Sequence, residues 1–222
     1  MVKSALNQKP KKGMLIAAVG IPGAGKSSII KELALLLKGR AFFEPEEQEW
    51  PDAVRERDKC GRFTCLNWFR SQRVPQLYQA ARITASGKIA LIDAYFDKLF
   101  IKYMRDESWH WLISPKDPYF PIAEEIGKLD YEYLPDANVV VALKVSKDIW
   151  PEFLRIRARE LDNIPGVRES IIGQESMLQA AKEFCNEKGA ILVEYEQKLS
   201  SPKQAAKEIF DLIQKKTKNL HS

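Results

Sequence analysis

The sequence predicts an α/β fold, a parallel sheet with helices on both faces, and three observations carry that prediction. Short apolar or β-branched runs alternate with longer stretches of helical period, the pattern of repeated strand–helix–strand units. A glycine-rich turn and two carboxylates fall at the ends of the first three predicted strands, where open parallel sheets bind ligands. No apolar run reaches the ~18 residues of a membrane span. The balance of 45% hydrophobic and 29% charged residues is that of an ordinary globular chain.

Taken in order, residues 1–12 lack periodicity and read as a flexible basic arm; one domain over 13–218 is expected to follow. The apolar run 14–19 is a buried strand. The turn after it, Gly20-Ile21-Pro22-Gly23-Ala24-Gly25-Lys26-Ser27-Ser28, fits G-x-x-x-x-G-K-[ST], and 29–37 has helical spacing. A phosphate-binding loop between strand and helix makes the expected architecture a three-layer P-loop NTPase-type fold with a five-stranded parallel sheet. Gly39 fits the stop of that helix. The run 40–44 is a second strand closed by Pro45, and 46–59 is a polar loop or short irregular helix. The spacing predicts a long helix over 63–86, kinked or split by Pro75. Residues 89–93 form a strand ending in Asp93, 95–105 a helix, 108–121 an aromatic loop, 122–134 a helix and 138–145 a β-branched strand. Ser146 is placed to cap the next helix, which carries Arg155, Arg157 and Arg159. Asn163-Ile164-Pro165-Gly166 is a turn; a helix over 169–188, a strand over 190–194 and a last amphipathic helix over 202–216 complete the chain.

The chemistry these residues support is phosphoryl transfer, which needs positioned charge more than covalent chemistry. Glycines let the loop backbone approach an anion, and free amides with the helix dipole point at phosphate oxygens. Lys26 is expected on the β/γ-phosphates of ATP and the Ser27 hydroxyl on Mg²⁺. Glu44 is placed to act on an acceptor hydroxyl, and Asp93 to orient metal-bound water beside Ser27. Arg155, Arg157 and Arg159, with Arg168 as a further candidate, suit a lid over 155–168 that closes on the donor phosphates. They alternate along the chain, so one helix face cannot hold all three.

With these motifs the chain resembles the deoxynucleoside kinases, within the wider P-loop nucleoside and nucleoside-monophosphate kinase group, from about Met14 to the last helix. Glu44-Pro45 followed by Trp50 is similar to the family's E-P-x-x-x-W with one residue more. Phe63-Thr64 is similar to the start of F-x-x-Q, with Leu66 at the glutamine and Asn67 beside it. The family arginine seven residues beyond falls on Arg73. The resemblance implies that Glu44 is the base for a 5′-hydroxyl and that Trp50, Phe63, Leu66, Asn67, Arg70 and Arg73 surround the acceptor. It also implies that Asp93 is the acid of the strand-three motif and that Arg155, Arg157 and Arg159 are lid arginines. Two positions depart from the pattern: Leu66 for the base-reading glutamine, and Ala94 for the arginine after the strand-three acid.

The expected function is therefore an ATP-dependent phosphotransferase acting on a nucleoside or similar small hydroxylated acceptor. One alternative is a nucleoside-monophosphate kinase, with Arg70 and Arg73 on the acceptor phosphate. Ala94 motivates an alternative of another class, a nucleotide-binding regulatory protein with little catalysis. Neither D-x-x-G nor N-K-x-D stands where a switch GTPase needs it. Three cysteines and two histidines, unclustered, speak against zinc or a disulfide framework and suit a reducing cytoplasm. The net charge of +5 lies largely in terminal lysines, read as solvated tails rather than a nucleic-acid surface. Expected partners are the small acceptor and, as an assembly, a homodimer, with no membrane.

Overall fold

The structure, a computed structural model, describes residues 13–159, 162 and 165–218. Five parallel strands form one sheet in the order β2-β3-β1-β4-β5. They are β1 (Met14–Val19), β2 (Arg40–Phe42), β3 (Ile89–Ile92), β4 (Val139–Lys144) and β5 (Ile191–Glu196). β1 lies at the centre, in register with β3 (Met14 opposite Ile89) and with β4 (Ile16 opposite Val139). Central β1 and β4 are almost wholly buried because helices cover both faces, which is why they read as continuous apolar runs. Edge strand β5 ends in the buried–exposed alternation of a half-covered strand.

The helices are α1 (Lys26–Leu37), α2 (Asp52–Arg55), α3 (Arg57–Cys60), α4 (Arg62–Ala85), α5 (Phe96–Tyr103) and α6 (Phe120–Tyr133). After β4 come α7 (Trp150–Arg157), α8 (Pro165–Glu169), α9 (Gln174–Lys188) and α10 (Pro202–Lys218). The expected α/β class, strand number and parallel pairing all hold. One contiguous core runs through the sheet, from Leu15 and Ile16 to Ala206 and Ile209 of α10.

Several local expectations change. Pro75 neither splits nor ends α4, which runs unbroken through it. Pro75 and Ser71, whose carbonyl loses its helical donor, are both exposed, so water can satisfy that carbonyl. Lys38 rather than Gly39 takes the left-handed turn ending α1 (φ 52°), and the Gly39 amide then closes on Ala34 O at 2.9 Å. Gly39 is needed for space, since a Cβ there would sit 2.6 Å from Leu91 Cδ1. Ser146 does not cap α7, which begins at Trp150 after Ile149. The helix expected over 169–188 begins later, at Gln174 of α9, and a separate short helix, α8, starts at Pro165, where a turn was expected. Lys215, Lys216 and Lys218 are not a tail: they lie on α10, and Lys216 Nζ donates to Leu192 O at 2.6 Å. The arm 1–12 and residues Asn163 and Ile164 of the expected turn lie outside the described residues. No described helix is long and apolar enough to cross a membrane.

Candidate active site

Four carbonyls of the phosphate loop are held by side chains, and the Ala24 amide turns inward to Ile21 O at 3.1 Å. Lys26 Nζ folds back onto Gly20 O (2.8 Å) and Ile21 O (3.1 Å). Trp150 Nε1 donates to Pro22 O (2.9 Å), and Gln197 Nε2 donates to Ala24 O (2.6 Å). Gly23 and Gly25 take φ of 77° and 78°, a region side chains avoid. α1 begins with no side-chain cap and no acid in its first turn, so its N-terminal amides and dipole face the loop's open side. Ser27 and Ser28 are exposed there. Burial pushes the Lys26 ammonium down to about 8, helped by Arg157 and Arg159 and opposed by Glu44 and Asp93. An anion would reverse that desolvation cost.

Glu44 and Asp93 leave the C-terminal ends of β2 and β3 side by side, as the topology requires. Asp93 Oδ2 accepts from Ser27 Oγ at 2.6 Å, and its Oδ1 accepts from the Glu44 amide at 3.0 Å. Burial, then the nearby Glu44 charge, raises the Asp93 carboxyl to about 6 against the pull of these bonds and of Lys26. Glu44 Oε1 accepts from Arg73 Nη1 at 2.9 Å, while Oε2 has no hydrogen bond among the described residues. Arg73 is nearly buried and grips Asp97 with Nε (2.7 Å) and Nη2 (2.9 Å). Burial opposes its charge, but Asp97 and Glu44 outweigh that and raise its pKa. The described residues hold no cluster of three or more His, Cys, Asp or Glu able to bind a metal by itself.

A pocket of about 190 Å³ opens from the loop, beside Gly20, Pro22 and Lys26, past Glu44 and Arg73 to an aromatic far end. A water's share of liquid is ~30 Å³, so the space suits a small molecule. Trp50, Leu66, Arg73 and Ala94 line it. Trp50 is held by its Nε1 bond to Pro45 O (3.0 Å) and meets Phe69 edge-on at 5.1 Å. Phe63, Asn67 and Arg70 instead line a smaller neighbouring cavity that shares Leu66. Phe63 stacks on Tyr119, and Arg70 is locked by two bonds to Asp130 (2.7 and 2.6 Å).

The arginines expected on a lid separate. Arg157 and Arg159 line the pocket. Arg157 pairs with Asp162 (2.6 Å); Arg159 pairs with Glu46 (2.8 Å), its guanidinium 5.6 Å from the Trp50 ring. Arg155 lies outside the pocket, exposed and paired with Glu152 on its own helix. Arg168 is on α8, exposed. Ala158 in the left-handed region (φ 52°) ends α7 and turns Arg159 away from the helix axis.

Sequence reasoning missed Gln197, Trp150, Asp97 and Arg57. Gln197 lies 173 positions from its partner Ala24, beyond any motif. Arg57 falls inside a segment read as a polar loop or short irregular helix, with no role given to its side chains. Trp109 and Trp111 both line the pocket; Trp109 is buried, its Nε1 on Gly173 O and Ser176 Oγ, both at 3.1 Å.

The fold is P-loop kinase-like, a five-stranded parallel sheet with the loop after its central strand. Among solved structures, deoxyadenosine kinase from M. mycoides with bound dATP aligns over 90% of this chain and 99% of its own, with a TM-score of 0.64 and 22% identity. Thymidylate kinase from Candida albicans aligns over 93% of both chains, with a TM-score of 0.58 and 16% identity. In sequence, thymidylate kinase of Xylella fastidiosa (strain M12) is 32% identical over 98 residues. That match spans 39% of this chain and 44% of the Xylella protein, less than half of either. No family model matches the chain.

Proposed function

We propose that this protein is an ATP-dependent phosphotransferase that acts on the hydroxyl of a nucleoside or similar small acceptor. The observation that carries the reading is the chain Ser27–Asp93–Glu44: two hydrogen bonds, 2.6 and 3.0 Å, tie an acceptor-side carboxylate to the serine of the phosphate loop. Donor phosphates on the loop amides and an acceptor hydroxyl at Glu44 would then meet at the mouth of one pocket. Glu44 Oε2 accepts the hydroxyl proton, while Arg73 holds Oε1 and fixes the carboxylate's direction. Lys26 exchanges its two carbonyl partners for phosphate oxygens, and Arg157 and Arg159, on a lid over 155–168, neutralise charge on the transferred group.

The donor set fits Mg²⁺: a hydroxyl and a buried carboxylate crowded by a second carboxylate, the remaining positions falling to nucleotide oxygens and water. Ser27 and Asp93 would hold the ion, which would supply positive charge to offset that of the phosphates.

A nucleoside-monophosphate kinase is the second reading, favoured by the thymidylate kinase match. Against it, Arg70 and Arg73 are already committed to Asp130, Asp97 and Glu44. The reading of a regulator with little catalysis rests on Ala94. ADP release with ATP and Mg²⁺ across nucleosides and their monophosphates separates the three. Turnover on nucleosides that stops in excess chelator is expected; turnover on monophosphates alone selects the second reading, and none on any acceptor selects the regulator.

A further inference from the structure

The far end of the pocket contains an unusual group. Arg57 on α3 is buried, 8% exposed, and lines the pocket, yet its Nε and Nη2 meet no acceptor among the described residues. Two more buried donors on the same pocket are also unpaired, Arg62 Nη1 and Trp111 Nε1. Among the described residues, the one ion pair around them is Arg62 with exposed Asp58. Arg57 lies beside Cys65, and its guanidinium is 6.0 Å from the Trp111 ring. Nothing there neutralises it fully, and burial lowers its pKa. Asp162 also lines the pocket and carries an unpaired oxygen, but its electrostatic neighbours are Arg157, Arg159 and Glu47, the lid side. The pocket therefore has a phosphate end and, apart from it, an end of donors alone.

A buried guanidinium with two N–H groups unmet, and a thiol as its hydrogen-bond partner, carries a stability cost that a ligand can relieve. Nε and Nη2 are one side of the guanidinium fork, a pair of parallel N–H groups that matches two adjacent acceptor atoms. Resting on the phosphotransferase reading above, we infer that Arg57, assisted by Arg62 and Trp111, is the specificity-determining group for the acceptor, and that it selects a group presenting two adjacent acceptors. Among purine edges that group is O6 and N7 of guanine; adenine presents a donor, N6, in place of O6. With its hydroxyl at Glu44, a guanine nucleoside reaches the Arg57 end of the same continuous pocket with its base.

Titration calorimetry of the full chain with deoxyguanosine and deoxyadenosine tests this without requiring turnover. Wild type is expected to bind deoxyguanosine about 10-fold or more tightly than deoxyadenosine, the scale of a bidentate contact. Arg57→Met should remove that preference while leaving deoxyadenosine affinity within about 2-fold, and its thermal midpoint should be no lower than wild type, because an unpaired charge has been removed. Arg57→Lys, which keeps charge but loses the fork, should also lose the preference. Equal or reversed preference in wild type, no binding of either nucleoside, or a preference that survives both substitutions overturns the inference. So does competition by inorganic phosphate that Arg57→Met abolishes, with no discrimination between bases; the end would then hold a free anion. A base preference without ADP release would refute the kinase reading and leave this one standing. ADP release with an adenine preference would do the opposite.

Discussion

Asp93 is a buried carboxyl that keeps its proton to about pH 6 in the folded chain, whereas an ordinary Asp carboxyl releases it near 3.8. Across that window the folded state holds more protons than the unfolded one, so stability falls as pH rises. A titration displaced by about two pH units corresponds to ~3 kcal/mol. Urea unfolding of the nucleotide-free protein should lose stability of that order between pH 4 and pH 7, and Asp93→Asn should lose less by the same order. Lys26, displaced to about 8, titrates above the window and does not blur the comparison. An equal pH slope in wild type and variant would remove Asp93 as the source. At this scale the sequence was informative where a motif fixes neighbours. Lys26, Ser27, Glu44 and Asp93 were legible because a complete loop motif and strand-end positions force them together. Gln197 and Arg57 were not, because their roles depend on contacts made only after the sheet has closed and α3 has packed under the aromatic loop.

Among the elements, α4 does most to shape the acceptor side. It brings Arg73 to Asp97 of α5 and to Glu44 beyond β2, tying three segments through one guanidinium. Arg73→Met leaves Asp97 nearly buried without its cation and should cost about 3–5 kcal/mol in urea unfolding. In the double variant Arg73→Met with Asp97→Leu, part of that cost should return. A loss below about 1 kcal/mol in the single variant would show that the clamp is not structural. The proposed lid makes a second contrast. Arg159 lines the pocket and Arg155 does not, so Arg159→Ala should lower turnover by at least ~10-fold, a floor set well below the ~10³–10⁵ that a phosphate-stabilising arginine can supply. Arg155→Ala, which breaks only an exposed pair, should stay within about 2-fold. The reverse order would mean that the lid presents its other face during turnover. The alternation of these arginines showed that one helix face could not hold them, but not which would face inward. The left-handed Ala158 decides that, and alanine carries no sequence signal for it. Pro75 misled for a related reason: exposure of its turn lets α4 continue, and exposure is a property of packing.

At the scale of the molecule, the β2-β3-β1-β4-β5 order sets the phosphate loop, Glu44 and Asp93 on one edge of the sheet, and this convergence was legible from strand ends alone. The acceptor's identity was not, because Leu66 replaces the residue by which the resembling family reads a base, and the reading group this structure offers, Arg57, comes from another segment. The central claim is that Glu44 takes the acceptor's proton in phosphoryl transfer, and Glu44→Gln tests it most directly. Glutamine keeps the shape and a hydrogen-bonding oxygen for Arg73 but cannot accept a proton at neutral pH. ADP release measured with ATP, Mg²⁺ and a nucleoside acceptor should fall by about 10²–10⁴ in Glu44→Gln, with ATP affinity nearly unchanged, because the donor is held by the phosphate loop. Wild-type turnover that the substitution leaves intact would contradict the account.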